Sequence, residues 1–209
     1  TQAWNQQNLS GEHDYNVSHS GRAGSQTAYE GKASYSFAAN DVTGKIWVSG
    51  IGQSVPVTAY TNGKENSDQV AYAGDIGASV NVAGFNLVAY GYGGQGIGTT
   101  GQFLDGYGLN SVSSKYEARD SDGGYVQAMY TLPTKTKLGV SWGISNLDLA
   151  DGEVNGNLVS ENEMWTAGVY HPLTKHLNLV AEYSYLRSTN QADQENKNYT
   201  GSLGAILFF

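Results

Sequence analysis

The fold is indicated most strongly by the end of the sequence, which reads Tyr199-Thr200-Gly201-Ser202-Leu203-Gly204-Ala205-Ile206-Leu207-Phe208-Phe209. In a β-strand, alternate side chains point to the same side. One side of this stretch carries an apolar row: Tyr199, Leu203, Ala205, Leu207 and Phe209. Soluble chains seldom end on exposed Ile-Leu-Phe-Phe, because chain ends are usually frayed and wet. A strand that closes a transmembrane barrel faces lipid, so the stretch favours a barrel over a buried strand of a soluble domain.

Composition agrees with a membrane barrel and argues against a helical protein. The 209 residues include 28 Gly and 15 Tyr but only 3 Pro, 2 Met and no Cys. Gly together with Tyr, Thr, Ser and Val is typical of many strands and tight turns. The mean hydropathy is −0.40, and no apolar run approaches the ~20 residues of a membrane helix. The net charge of −8 disfavours nucleic acid, which is a polyanion, as a partner.

Nine segments are predicted to be strands from their side-chain alternation. They are residues 27–37, 43–53, 69–81, 85–95, 123–131, 136–146, 163–171, 176–187 and 198–209. Each is close to the ~9–11 residues with which a tilted strand crosses the hydrocarbon core. A soluble sandwich would show the same alternation, so periodicity alone does not choose between them.

The connections between these segments alternate between short and long. Short turns are predicted at 38–42, 82–84, 132–135 and 172–175, and longer polar links at 54–68, 96–122, 147–162 and 188–197. Outer-membrane barrels have short periplasmic turns and long external loops. The alternation therefore predicts an all-β, antiparallel transmembrane β-barrel of the outer-membrane type, with about nine or ten strands in this chain.

Several segments resemble strands of a known family of membrane proteins. Residues 137–143 (Lys-Leu-Gly-Val-Ser-Trp-Gly) and 177–184 (Leu-Asn-Leu-Val-Ala-Glu-Tyr-Ser) resemble late strands of the Gram-negative general diffusion porins, and residues 165–171 resemble the strand between them. Residues 21–31 are similar to the strand that follows the porin constriction loop, although Gly31-Lys32 stands where the family has Ser-Pro. The resemblance covers about Arg22 to Phe209.

The resemblance implies a sixteen-stranded trimeric barrel, of which this chain is the carboxy-terminal part. A complete bacterial barrel has an even number of strands, whereas nine are predicted here. Residues 1–26 are interpreted as an external loop region or a weak first strand, and residues 27–209 as barrel strands. Because the sequence begins at Thr1 rather than Met, we interpret it as a fragment or a processed product. A complete ten-stranded barrel is the alternative.

The sequence offers little for catalysis or cofactor binding. Without Cys, thiol chemistry is excluded. The histidines form no His-x-x-x-His or Glu-x-x-His pair; they are His13, His19, His171 and His176. Asp148, Asp151 and Glu153 cluster in an external loop, and we interpret them as solvated carboxylates rather than as oxygen ligands of a divalent ion. We therefore predict no catalytic residue, no metal site and no cofactor.

Charged residues at lumen-facing strand positions are candidates for a pore wall. They are Arg22, Glu30, Lys32, Lys45, Asp75, Lys137 and Glu182, with Arg187 near the outer rim. A Lys or Arg that faces hydrocarbon at mid-depth costs about 2–4 kcal/mol, so these charges belong inside. Arg22 is included because it matches an Arg that the porins carry after the constriction loop. Fixed charges across a water-filled constriction sort ions and small polar solutes.

The predicted function is that of an outer-membrane porin, a channel for passive diffusion of ions and small hydrophilic solutes. The resemblance implies a homotrimer in the outer membrane of a Gram-negative bacterium, in contact with membrane lipid and inserted by the barrel assembly machinery. The carboxy-terminal apolar row is then expected to be the assembly signal. Two alternatives stay open: a ten-stranded outer-membrane enzyme (a protease or a lipase), and a soluble all-β binding protein.

Overall fold

The computed structural model describes residues 28–55, 69–98, 106–113 and 115–208. The strands are β1 (Tyr29–Ala39), β2 (Val42–Val55), β3 (Gln69–Val82), β4 (Phe85–Gln95), β5 (Tyr107–Leu109), β6 (Tyr116–Ala118), β7 (Asp120–Thr131), β8 (Lys137–Leu147), β9 (Val159–Pro172), β10 (Leu177–Asn190) and β11 (Glu195–Leu207). None of the described residues forms a helix that is long and apolar enough to cross a membrane.

The long strands of the described chain form one antiparallel sheet in the order β1-β2-β3-β4-β7-β8-β9-β10-β11. Each long strand therefore pairs with the next long strand along the chain, and β1 and β11 are the two edges of the sheet. β5 and β6 pair separately as a small hairpin. The predicted all-β antiparallel fold is confirmed, and the nine predicted segments correspond to the nine long strands.

One end of the sheet has tight turns, as predicted. Val82 pairs directly with Phe85, so only Ala83 and Gly84 connect β3 to β4. Both residues have positive φ, 48° for Ala83 and 84° for Gly84, as a two-residue type I′ hairpin requires. Glycine adopts this conformation freely, whereas the Cβ of alanine is crowded there. Ala83 is therefore a strained position in an otherwise favourable turn.

The last connection at the opposite end is shorter than predicted. β10 runs to Asn190 and β11 starts at Glu195, so residues 191–194 alone join them, and the long link predicted over 188–197 is wrong. Arg187 forms an ion pair of 2.8 Å with Glu163, and Lys197 forms one of 2.9 Å with Glu195. Because these pairs satisfy charged side chains within the strands, polar composition did not mark a loop here.

The strand register gives the sheet one apolar and one polar face. On β8, Val140 and Trp142 lie on the apolar face, while Ser141 lies on the polar face. Large side chains of the apolar face are exposed, for example 62% of Ile76 and 51% of Val140. A sheet of a soluble domain buries its apolar face against another layer. Among the described residues no layer covers this face, which is therefore suited to contact with lipid.

Candidate functional site: the polar face and its hairpin

Six of the predicted pore-wall charges share the polar face of the sheet. Lys32 pairs directly with Ser49, and Ser49 pairs with Asp75 and donates a hydrogen bond to its carboxylate. The register from strand to strand aligns the other members with this face: Glu30, Lys45, Lys137 and Glu182. Their role in lining a pore stays a prediction. Arg22 lies outside the described residues.

Two of these charges have defined neighbours on the polar face. The hydroxyl of Tyr170 donates a hydrogen bond of 2.5 Å to Oε1 of Glu182. The Nζ atom of Lys32 lies 5.8 Å from the centroid of the Trp47 ring, a distance at which the ring face attracts a cation. Both contacts hold a charged group at a defined position on the polar face.

Arg187 lies on the apolar face, and its inclusion among the lumen-facing charges is wrong. It follows Tyr185 by two positions, and a period of two places both on the same side of the strand. In register it pairs with Glu163 and Lys197, and its Nη2 atom also lies 3.0 Å from Oε1 of Glu161. Carboxylates on neighbouring strands therefore pair with the Nη atoms of this guanidinium on the apolar face.

Aromatic side chains border the apolar face. Four of them follow one another in register across β8 to β11: Trp142, Trp165, Tyr185 and Tyr199. The ring centroids are 6.0 Å apart for the two Trp and 5.0 Å apart for the two Tyr. Near the tight turns, Phe85 packs on Tyr130 with centroids 4.5 Å apart. Membrane proteins carry such aromatic belts where they meet the two water interfaces.

β11 carries the predicted assembly signal on the apolar face. Leu203 pairs with Ala181, and Ala205 pairs with Leu179. Leu203 is 90% exposed, as expected for a large side chain on an edge strand that faces outward. Tyr199 and Leu207 share this face, and Phe209 lies outside the described residues. The role of this row in assembly stays a prediction.

The β5–β6 hairpin lies over the polar face at the end with the long connections. It was missed in the long link predicted over 96–122, because two strands of three residues are too short to show an alternation. Tyr107 and Tyr116 are buried and pack with Ile97 and Ala71 in a small hydrophobic cluster. Ala71 belongs to the polar face, in register with Gln53. The hairpin therefore covers part of the polar face instead of extending away from it.

A buried ion pair holds this hairpin against the β8–β9 connection. Arg119 donates from Nε to Oε2 of Glu153 at 2.8 Å and from Nη2 to Oε1 at 2.5 Å. Both side chains are only 5% exposed. The backbone N–H of Ser111 also donates to the carbonyl of Gly152 at 2.9 Å. A bidentate Arg–carboxylate pair combines charge with fixed geometry, so the two connections are joined at a defined position.

The interpretation of Glu153 as a solvated loop carboxylate is wrong. Burial raises the pKa of Glu153, but hydrogen bonds from Arg119 and the Ala150 N–H, with the charge of Arg119, outweigh it and hold the pKa below its ordinary value. Asp148 and Asp151 are exposed, as predicted. Within the described ranges, no group of three His, Cys, Asp or Glu side chains is placed to hold a metal ion.

The two histidines in the described chain lie beside turns. His171 Nδ1 is 2.9 Å from Oγ1 of Thr136, and His176 Nδ1 is 3.1 Å from the carbonyl oxygen of Phe208. Each contact joins a strand end to its neighbouring strand, which is a structural role. His13 and His19 lie outside the described residues.

The fold is similar to that of a solved membrane channel. The structure matches the outer membrane channel DcaP of Acinetobacter baumannii with a TM-score of 0.64 and 14% sequence identity. The match covers 88% of this chain and 54% of that channel, so this chain spans about half of the channel's length. At this identity the likeness shows the fold alone. The chain matches no protein-family model and no curated protein sequence.

Proposed function

We propose that the protein is an outer-membrane channel of the porin type, through which ions and small hydrophilic solutes diffuse in a Gram-negative bacterium. The proposal is carried by one observation, the separation of an exposed apolar face with aromatic borders from a polar face on the same sheet. In a bilayer every backbone polar group must be bonded internally, which a closed sheet achieves. Such a barrel meets lipid with one face and water with the other.

The charges of the polar face support conduction of small charged and polar solutes. Lys32 on β1 and Asp75 on β3 lie on either side of Ser49 on β2, and each pairs directly with it. Opposite charges close together on the wall create a local field, and an ion that is partly desolvated beside them feels it strongly. Further along the wall, Lys137 and Glu182 repeat the mixture of signs, so the channel admits solutes of either charge.

The β5–β6 hairpin supports a lumen that narrows toward the end with the long connections. Its cluster rests on Ala71, with Ala73 packed beside it. Ala73 is two positions from Asp75 on the same face of β3. The hairpin thus lies next to the level of Lys32 and Asp75, where a narrowing has the greatest effect on ion sorting.

Assembly follows from the same proposal. The channel is a homotrimer surrounded by lipid, and the barrel assembly machinery recognises β11 through Tyr199, Leu203, Ala205, Leu207 and Phe209. The exposed apolar face of this edge strand, which has no partner on its outer side in the described residues, supports that role. An edge strand with unpaired backbone groups is a template for pairing with another strand.

The proposal is tested by reconstituting the full-length protein that contains this chain in planar bilayers. Stepwise conductance is expected, in groups of three if the protein is a trimer, and a mock preparation from cells without the protein provides the control. A folded and inserted protein without conductance would overturn the proposal in favour of an outer-membrane enzyme. A protein that stays in solution without detergent would overturn it in favour of a soluble binding protein.

A further inference from the structure

One row of apolar side chains crosses the polar face, and simple diffusion does not require it. Direct pairing connects its positions from β2 to β10. We name this set the inner apolar row, and it consists of Trp47, Tyr90, Tyr125, Met164 and Leu186. Gly77 and Gly143 occupy the two intervening positions of the row. The row is thus an apolar band that crosses the polar face from β2 to β10, with glycine at two positions.

One ring of this row packs above a glycine, and two other side chains of the row are exposed. The indole of Trp47 occupies the space that a Cβ of Gly77 would need. The rings of Tyr90 and Tyr125 have centroids 5.5 Å apart. Tyr125 is 39% exposed and Met164 is 47% exposed. Packing of a ring above a glycine also stabilises a sheet. That role alone does not require the side chains of the row to be exposed on the polar face.

Uncharged positions flank the inner apolar row on β7 to β10, and seven of these eight carry hydrogen-bonding side chains. On β2 and β3 the flanking positions include Lys45 and Asp75. Toward the long connections the flanking positions on β7 to β10 are Gly123, Ser145, Asn162 and Ser188; toward the turns they are Gln127, Ser141, Thr166 and Ser184. Ser188 donates to Oδ1 of Asn162 at 2.5 Å, and the hydroxyls of Thr166 and Ser184 are 2.9 Å apart. Neither flank carries a charge over these four strands.

A shallow depression adjoins the flank nearer the turns. Gly139 and Gly168 face each other across β8 and β9, and the ring of Tyr170 lies over Gly168. The depression is lined by polar side chains that include Gln127, Ser141 and Tyr170. The hydroxyl and amide groups of its walls offer both donors and acceptors beside the inner apolar row.

We propose that the inner apolar row is a binding track for neutral carbohydrates, an inference that rests on the proposed channel function. A sugar ring presents a flat surface of C–H groups and a rim of hydroxyls. The C–H surface matches the rings of Tyr90 and Tyr125, while the hydroxyls match the flanking Ser, Thr, Asn and Gln side chains. A charged solute finds no counter-charge in the flanks of β7 to β10, so neutral sugars are favoured there.

The direction of the row makes it a path rather than a single site. Barrel strands are tilted by ~35–45° from the barrel axis, and a register row runs across the strands. The row therefore winds along the lumen, and its apolar positions lie at successive depths. A linear oligosaccharide contacts several of them at once, which raises its occupancy through multivalency.

The test uses the full-length protein in planar bilayers with maltohexaose as the probe. Maltohexaose is expected to block the current in a saturable manner, whereas polyethylene glycol of matched hydrodynamic size, which lacks rings, is expected to lower the current without saturation. The variant Tyr90→Ala/Tyr125→Ala should weaken the apparent maltohexaose affinity by about tenfold or more, because two ring contacts are lost. The matched variant Tyr72→Ala/Tyr183→Ala removes two tyrosines from the apolar face and should leave the affinity unchanged.

A second variant tests the flank without changing the rings. Ser141→Ala/Thr166→Val removes two hydroxyls with little change in volume and should weaken maltohexaose binding several-fold. If the Tyr90→Ala/Tyr125→Ala variant does not insert, the hydroxyl-deleted variant provides the test. An unchanged maltohexaose affinity in that variant overturns the proposed binding track.

The outcomes separate this inference from the proposed function. Conductance without a saturable maltohexaose block overturns the track and leaves the channel intact. Equal blocks by maltohexaose and polyethylene glycol, or equal affinity in all the variants, also overturn it. Absence of conductance overturns the channel function itself.

Discussion

The two faces of the sheet change character in opposite ways toward the end with the long connections. The apolar face ends in a charged band, made of Glu161, Glu163, Arg187, Glu195 and Lys197. The polar face ends in the hydrophobic cluster of Ala71, Ile97, Tyr107 and Tyr116 under the β5–β6 hairpin. Each face thus carries, at this end, the kind of residue that the other face carries in the middle of the sheet.

The difference shows that side-chain polarity follows the surroundings at each level of the sheet. The charged band lies just beyond the border of Trp142, Trp165, Tyr185 and Tyr199, where a membrane protein leaves the hydrocarbon. The hydrophobic cluster lies on the polar face, but the hairpin buries it. The ion pairs differ for the same reason: that of Arg119 and Glu153 is buried, while Arg187 is about one-third exposed.

The largest effect is expected where an ion pair is buried. Arg119→Ala leaves the Glu153 carboxylate buried without its partner and should weaken docking of the hairpin by about 3–5 kcal/mol. Arg187→Ala, the matched change in the exposed band, should cost about 1 kcal/mol or less. Hydrogen exchange of the backbone around Tyr107 and Tyr116 measures the docking. Equal protection of the hairpin in both variants would contradict the comparison.

Acid should release the same hairpin. The pKa of Glu153 is lower in the folded protein than in the unfolded chain, so its stabilisation is fully present above the ordinary glutamate pKa. It is lost as the pH falls from the ordinary glutamate pKa through the lowered pKa of the folded protein. Limited proteolysis of the hairpin across a pH series measures this. Glu153→Gln should remove the acid-dependent step, and an unchanged step in that variant would show that another group is responsible.

In the middle of the sheet, a new charge should destabilise the protein more on the apolar face than on the polar face. Val140→Arg places a charge on the lipid face and should destabilise the inserted barrel by about 2–4 kcal/mol. Ser141→Arg, one residue along β8 on the polar face, should cost less because the lumen is wet. Equilibrium unfolding in lipid vesicles compares the two variants. Equal costs would mean that the two faces are not lipid and water faces.

Ion selectivity should depend on charges of the polar face only. Replacing Lys32 and Lys45 by Gln should shift the reversal potential toward cations, and replacing Glu30 and Asp75 by their amides should shift it toward anions. Lys197→Gln, in the charged band of the apolar face, is the control and should leave it unchanged. The shifts should shrink at high salt, because the screening length falls from ~10 Å at 0.1 M to ~3 Å at 1 M. A shift in the control alone would reverse the assignment of the faces.

The smallest effect is expected at the opposite end of the sheet, in the tight turn between β3 and β4. Ala83→Gly relieves the crowding at positive φ and should stabilise the protein by at most about 1 kcal/mol. Ala89→Gly, within β4, should instead destabilise it by about 0.5–1 kcal/mol. The midpoints of unfolding of the two variants are to be compared. A destabilising Ala83→Gly would mean that the turn does not adopt the I′ geometry.

Much of the fold was predictable from local sequence. Alternation such as Val140, Ser141 and Trp142 specifies which side chains share a face, because the strand backbone itself repeats every two residues. The same period placed Lys32, Asp75 and Glu182 on the polar face before the register was known. Parity also indicated the correct face of Arg187, two positions after Tyr185, but the prediction put it with the lumen charges.

The remaining features were decided by tertiary structure, because they depend on residues that are distant in sequence. Arg119 and Glu153 are 34 positions apart, and no local pattern links a loop arginine to one of several loop carboxylates. The inner apolar row also became visible only with the register, since each strand contributes one residue to it. The sequence by itself determined the strands and their two faces through backbone geometry. Tertiary structure determined which residues of different strands and connections are neighbours, because register, hairpin docking and ion pairing depend on contacts between residues that are distant in sequence.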